Sequence, residues 1–98
     1  SAAERADAVI LNQSLRAAQR ACIAGQRDAL RLCRMVRDLI EGEVSARVDY
    51  IEVVHPDSLA PLTDIDGQGA VMCVAVYVGQ TRLIDNLRLD QGESQCEG

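Results

Sequence analysis

The chain has 98 residues, a formal net charge of −5 at pH 7 and no phenylalanine or tryptophan, which predicts one domain with a core of small aliphatic side chains. Its acidic balance argues against a nucleic-acid partner, which needs clustered basic residues. All ten basic residues are arginine, so enzymes that depend on a Schiff-base lysine or a P-loop lysine are excluded.

No apolar run approaches the roughly 20 residues that a membrane helix needs, and the N-terminus has no secretory pattern, so the prediction is a cytoplasmic protein without a membrane partner. The four cysteines are widely spaced and contain no CxxC pair: Cys22, Cys33, Cys73 and Cys96. A zinc site or a disulfide remains an alternative, but this spacing favours reduced thiols that behave as small hydrophobic residues.

Two amphipathic helices are predicted in the first half of the chain. A Ser-x-x-Glu capping box starts the first at Ser1, and Gly25 ends it. Its buried stripe contains Ala8, Leu11, Leu15, Ala18 and Cys22. The second helix runs from residues 26–28 to Glu41, ahead of Gly42, and its buried stripe contains Ala29, Leu32, Cys33, Val36, Leu39 and Ile40. The short connection predicts antiparallel neighbours.

The second helix also carries a basic ridge, which consists of Arg27, Arg31, Arg34 and Arg37. The ridge could bind anions. Alternatively it is a solvated face on which Arg34 and Asp38 pair at i, i+4, and charge runs favour this second interpretation.

Three strands are predicted, at residues 48–54, 70–78 and 82–89. The first is rich in β-branched residues and closes at a turn around His55. The second is apolar on both faces, as a central strand is, and a turn at Gly79 leads into an antiparallel third strand. A polar tail, 90–98, is predicted to be frayed. The fold class is α+β, with an antiparallel helix pair packed on a three-stranded antiparallel sheet.

The predicted layers leave one face of the sheet uncovered. A helix pair covers only one face, and the central strand is apolar on both. Contiguous exposed apolar surface usually marks an interface.

Residues that could carry chemistry are few. His55 is the only imidazole, and it could activate a nucleophile, although its place before a proline favours a turn role. Asp64 and Asp66 could form a carboxylate pair for a metal or for acid–base work, although their turn-like surroundings favour a solvated loop. We therefore predict no catalytic, cofactor-binding or metal-binding residue within this chain.

Asp85 is the least expected residue, because strand alternation places it between Leu83 and Leu87 on the apolar side. A carboxylate there is costly unless it is hydrogen-bonded. One interpretation is that Asp85 or Asn86 tethers a neighbouring loop or pairs with Arg82. The alternative is that it faces a cleft shared with another domain. Arg82, Asp85 and Asn86 are therefore the candidate cleft or interdomain residues.

Three stretches of the chain form an ordered set of motifs: "SAAER" at residues 1–5 with the following "LNQSLRAA", "VDYIEVVHPDSLAPL" at 48–62, and "GQTRLIDNL" at 79–87. Together they resemble the C-terminal domain of the pantothenate synthetases, the pantoate–β-alanine ligases. The matches occur in the family's order over nearly the whole chain. Two residues depart from the family pattern: His55 stands where Asp is usual, and Gln80 stands where Lys is common.

The resemblance implies a cytoplasmic ligase that uses ATP and magnesium to condense pantoate and β-alanine through pantoyl adenylate, giving pantothenate, AMP and pyrophosphate. It implies that residues 1–89 form a mobile C-terminal lid, inactive by itself. The lid's partner would be an N-terminal Rossmann-like catalytic domain that is absent from this chain and that holds the ATP, the magnesium and the substrates.

The competing hypothesis is a free-standing α+β interaction or regulatory module that forms a homodimer through its exposed sheet face. It predicts that interface variants such as Val74→Asp become monomeric without losing the fold.

Overall fold

The computed structural model describes residues 2–43, 46–65 and 69–90. Its elements, in chain order, are the helices α1 (Ala2–Ile23) and α2 (Ala29–Glu43) and the strands β1 (Ala46–Val54), β2 (Val71–Val78) and β3 (Thr81–Arg88). The strands form one antiparallel sheet in the order β1-β2-β3, and both helices pack on one face of it. The predicted α+β arrangement is confirmed.

Helix α1 buries most of its predicted stripe. Ala8 is an exception, because it is exposed, and the capping box at Ser1 lies outside the described residues. The stripe also contains two buried polar side chains, Ser14 and Gln19. Ser14 Oγ donates to the carbonyl of Ile10, and Gln19 Nε2 donates to a carbonyl of β3, each at 2.8 Å. These hydrogen bonds allow polar groups to remain inside the packed stripe.

Helix α2 begins immediately after Asp28, whose carboxylate caps it. Asp28 Oδ1 accepts from the backbone amides of Leu30 at 3.0 Å and Arg31 at 3.3 Å, which are otherwise unpaired at a helix start. The helix continues to Glu43, so the prediction that Gly42 lies past its end is wrong. Gly42 does not adopt a left-handed backbone conformation, and without one a glycine near a helix end does not stop it.

The buried face of α2 is narrower than predicted. Leu32, Val36 and Ile40 are buried at helical spacing, whereas Leu39 lies beside that stripe and is 40% exposed.

The predicted basic ridge is exposed, but Arg27 precedes α2 and the predicted ion pair is wrong. Among the described residues Arg34 makes no pair with Asp38. Arg31 instead pairs with Asp28 at 3.7 Å and Arg37 with Glu41 at 3.6 Å. Such exposed pairs contribute about 0–1 kcal/mol each.

The core lies between the helices and the central strand. Met72, Val74 and Val76 alternate along β2 toward the helices and are buried. They pack with the buried residues of α1 and α2 and with Val48, Val53, Ile65 and Leu89. No aromatic side chain takes part among the described residues, as the composition predicts.

The connection between β2 and β3 is a two-residue turn. Val78 pairs with Thr81 across Gly79 and Gln80. Gly79 has a φ of 63°, and Gln80 does not have a positive φ. This combination is typical of a type II′ hairpin turn, which requires glycine at its first central position, and it confirms the predicted turn.

A hydrogen-bonded clasp closes the far end of β3. Arg88 Nε donates to Asp90 Oδ1 at 2.8 Å, and the same oxygen accepts from the amide of Ala70 at 3.2 Å. Leu89 is fully buried between these residues. Asp90, predicted to open the frayed tail, is therefore held in place, and residues 91–98 lie outside the described part of the chain.

The clasp predicts a loss of stability in acid. Burial raises the pKa of Asp90, but hydrogen bonds from Arg88 and from backbone amides outweigh that effect and hold this pKa below its ordinary value. A lowered pKa adds stability above about pH 4, where an unfolded Asp is ionised, and this stability disappears as pH falls through the folded-state pKa. We expect the melting temperature to fall less steeply below pH 4 in Asp90→Asn than in the unaltered chain. Equal slopes would contradict the assignment.

The thiols behave as structural groups. Cys22 is buried, and Cys33 and Cys73 are half-buried and unpaired. Burial raises the pKa of each thiol above its ordinary value, which lowers its reactivity. Cys96 lies outside the described residues. In the described part of the chain, no helix is long and apolar enough to cross a membrane.

Candidate functional site on the open face of the sheet

The face of the sheet that points away from the helices is called the open face. Strand alternation and the pairing register place on it Arg47, Tyr50 and Glu52 from β1, Cys73, Ala75 and Tyr77 from β2, and Arg82, Ile84 and Asn86 from β3. Ile84, midway along the edge strand β3, is 60% exposed. Within the described ranges, no helix covers this face, as expected from the sequence, but the face is mixed in character, because Arg47, Glu52, Arg82 and Asn86 lie on it beside the apolar side chains.

A β-bulge shapes one end of this face. Val48 pairs with Val76 and Tyr50 with Ala75, so Asp49 is an extra residue on β1 with no direct partner. Val48 is buried toward the helices. The bulge lets two consecutive residues, Asp49 and Tyr50, lie toward the open face, which a regular strand does not allow.

Arg82 crosses the central strand to reach this bulge. Its Nη2 lies 2.9 Å from Asp49 Oδ2, and its guanidinium carbon lies 5.7 Å from the centroid of the Tyr50 ring. Arg82 lies opposite Tyr77 and Tyr50 lies opposite Ala75, so the arginine crosses β2 diagonally, beside the methyl group of Ala75, which is fully covered. The small side chain at Ala75 leaves room for the arginine to span all three strands.

A second arginine–tyrosine pair lies beside the first. The guanidinium carbon of Arg47 is 5.5 Å from the centroid of the Tyr77 ring, a cation–π contact of about 0.5–1 kcal/mol at an exposed site. Tyr50 and Tyr77 are the only two tyrosines of the chain, and both lie on the open face. Tyrosine and arginine are among the residues most enriched at the centres of protein interfaces.

The three candidates from the sequence are divided between the two faces. Arg82 and Asn86 lie on the open face, two residues before and two residues after Ile84. Asp85 lies on the helix side, half-buried opposite Val74. Its Oδ1 accepts from the amide of Asn86 at 2.8 Å.

Neither structural interpretation of Asp85 is correct as stated. Arg82 pairs with Asp49 because it points to the opposite side of β3 from Asp85. The hydrogen bond of Asp85 is made to the next residue along β3 and tethers no neighbouring loop. The hydrogen bond from the neighbouring backbone amide, together with partial exposure to solvent, satisfies this carboxylate.

Sequence reasoning missed Arg47, Asp49, Tyr50 and Tyr77 as site residues. Strand alternation could have placed Tyr77 with Arg82, since the hairpin turn fixes their pairing. The bulge that adds Asp49 and Tyr50 has no comparable signal in the sequence.

The other sequence candidates do not assemble a site. His55 Nδ1 accepts from the amides of Asp57 at 3.1 Å and Ser58 at 3.3 Å, which confirms the turn role. Asp64 is exposed and forms a backbone bridge with Asp28, while Asp66 lies outside the described residues. Within residues 2–43, 46–65 and 69–90, no three His, Cys, Asp or Glu side chains are grouped so as to hold a metal.

Comparison with known proteins identifies the family. The profile described as pantoate-beta-alanine ligase matches residues 1–88. The chain belongs to the pantoate-beta-alanine ligase family. The pantothenate synthetase of Herpetosiphon aurantiacus is 45% identical over 87 residues, which cover 89% of this chain and 32% of that protein. A bifunctional pantoate ligase/cytidylate kinase of Thermosynechococcus vestitus is 47% identical over 91 residues, covering 93% of this chain and 18% of that protein.

Solved structures of pantoate-beta-alanine ligases have the same fold. The pantothenate synthetase of Thermus thermophilus superposes with a TM-score of 0.80 at 31% identity, covering 93% of this chain and 32% of that one. The chain therefore spans about a third of the length of this structure and of the Herpetosiphon relative.

The structure explains two features of this ligase-family sequence. The segments around Asp49-Tyr50 and Thr81-Arg82, which carried the resemblance, meet at the Arg82–Asp49 ion pair. His55, where the family usually has Asp, uses an imidazole nitrogen to accept the two turn amides. A carboxylate oxygen accepts amides in the same way in an Asx turn, so the exchange preserves the turn.

Proposed function

We propose that residues 1–89 form the C-terminal lid of a pantothenate synthetase. The whole enzyme condenses pantoate and β-alanine through pantoyl adenylate, giving pantothenate, AMP and pyrophosphate in the cytoplasm. An N-terminal Rossmann-like domain holds ATP, magnesium and both substrates. This chain by itself is inactive and binds no cofactor.

The observation that carries this proposal is the open face. It concentrates both tyrosines, two arginines and the exposed Ile84 on the side that the helices leave uncovered. The relatives are about three times as long as the matched segment, so they contain a further region large enough to cover it. A lid that closes over an acyl adenylate excludes the water that would hydrolyse it.

Within this role, Arg82 and Asn86 are the proposed cleft or interdomain contacts. Both lie on the open face. Asp85 points toward the helices, so its contribution is to the lid's own architecture.

A matched pair of variants in the full-length parent enzyme tests the proposal. Ile84→Asp changes the open face, and Leu30→Asp makes the same kind of change on α2, where Leu30 is 66% exposed. We expect pantothenate formation to fall by at least about tenfold in Ile84→Asp, the effect of losing about 1.4 kcal/mol of closure energy, and to be unchanged in Leu30→Asp. Deleting the chain should abolish activity. Equal activity in both variants would contradict the lid role.

The competing module gives a different result. If the chain acts alone as a homodimer through the open face, sedimentation should show a dimer that Ile84→Asp converts to a monomer.

A further inference from the structure

One end of the open face holds two arginines on either side of a tyrosine. Arg47, Tyr77 and Arg82 occupy directly opposed positions on the three strands. Neighbouring strands lie about 4.8 Å apart, so the Cα atoms of the two arginines are separated by roughly 10 Å. Both side chains project to the same side, with Tyr77 as a floor between them.

The charge at this end is positive, although the chain as a whole carries −5. Arg47 contacts the Tyr77 ring and makes no ion pair with any carboxylate of the described residues. Arg82 is hydrogen-bonded to Asp49 through Nη2. Two guanidinium groups and one carboxylate leave one net positive charge, available to an anionic group.

Arg82 is also held in one orientation. Asp49 fixes one edge of its guanidinium group and the Tyr50 ring lies under it, while the side chain remains 41% exposed. A planar group held this way loses little further rotamer entropy when it binds, and its fork of donors matches two oxygens of one anion.

We propose that Arg47 and Arg82 form an oxyanion-binding site, with Tyr77 as its floor, that takes a phosphate or carboxylate group. The site would add anion binding to the proposed lid. It depends on the lid role only for the source of the anion. The two sources are the phosphate of a bound substrate and an acidic side chain of the rest of the enzyme.

Amide and arginine Nε resonances of the chain, recorded by NMR during titration at constant ionic strength, test the site. The probes are inorganic pyrophosphate and, in a separate series, acetate. We expect saturable shifts at Arg47, Tyr77 and Arg82. Arg47→Gln and Arg82→Gln should each weaken binding about tenfold or more, because each substitution removes a charged hydrogen-bond donor to the anion.

The matched control is Arg34→Gln, which removes the same charge from the exposed ridge of α2 and should leave binding unchanged. Unchanged core amide resonances in each variant show that the fold persists. Tighter binding of pyrophosphate supports a phosphate ligand, and equal or tighter binding of acetate supports a carboxylate. Absent saturation, or equal weakening in all three variants, would overturn the site.

This measurement is independent of turnover. If the chain binds the anion but ligase activity does not respond to Ile84→Asp, the site is supported and the lid role is rejected. The converse result retains the lid role and rejects the site.

Discussion

Val74→Asp is expected to unfold the chain, whereas Ile84→Asp leaves it folded. Val74 is fully buried on the helix side of β2, and it pairs with Asp85 on β3. A new carboxylate there is buried without a partner and lies opposite an existing carboxylate. An uncompensated buried charge costs several kcal/mol, a large part of the roughly 5–15 kcal/mol that stabilises a domain.

Ile84 is the matched position, because it lies one residue from Asp85 and points to the open face, where it is 60% exposed. Circular dichroism during thermal and urea unfolding measures both variants. A cooperative transition in Ile84→Asp and none in Val74→Asp is the expected result. A folded Val74→Asp would show that the two faces of the sheet are assigned the wrong way round.

This expectation corrects the test attached to the dimer hypothesis. From the sequence, Val74→Asp was an interface variant that keeps the fold. Both faces of β2 are apolar, so alternation alone could not distinguish the helix side from the open side. Ile84→Asp is the variant that the structure supports for that purpose.

Two glycine substitutions are expected to change stability in opposite directions. Gly69 has a φ of 103°, and an added Cβ would lie 2.7 Å from Arg88 Nη2 and 2.9 Å from Pro56 Cγ. Gly69→Ala therefore strains the backbone and displaces the clasp, at a cost of about 1–3 kcal/mol. Gly42 lies in α2 with nothing within 4 Å of an added Cβ, so Gly42→Ala stabilises by up to about 0.5–1 kcal/mol.

Thermal unfolding measures both changes, since about 1 kcal/mol shifts the melting temperature of a domain this size by roughly 4–8 °C. Gly69→Ala should melt several degrees lower and Gly42→Ala slightly higher. If Gly69→Ala melts with the unaltered chain, the left-handed conformation two residues before β2 is not required.

Local sequence signals predicted the elements well where one strong rule applied. The apolar stripe around Leu11, Leu15 and Ala18 predicted α1, and runs of β-branched residues predicted the strands. Gly79 gave the hairpin turn, because a two-residue turn of this kind needs a left-handed first residue. The end of α2 was predicted wrongly, because a glycine such as Gly42 ends a helix only when its backbone adopts the left-handed conformation.

The candidate site was predicted only in part. The sequence grouped Arg82, Asp85 and Asn86 as one set of candidates, whereas strand parity places Arg82 and Asn86 on one side of β3 and Asp85 on the other. The interpretation of Asp85 was wrong where it assumed a bond to Arg82, since parity places these two residues on opposite faces. The bulge at Asp49 depends on how β1 pairs with β2, and no local pattern around it reveals that register.

The sequence by itself determined the α+β class, the aliphatic core and the resemblance to a ligase family, because these depend on composition, periodicity and ordered motifs. Only the tertiary structure decided that Arg82 spans the sheet to Asp49 and Tyr50, and that both tyrosines share one uncovered face. Those relations join residues more than 25 positions apart, and they arise from strand pairing, whose register is set by packing of the whole sheet against the helices.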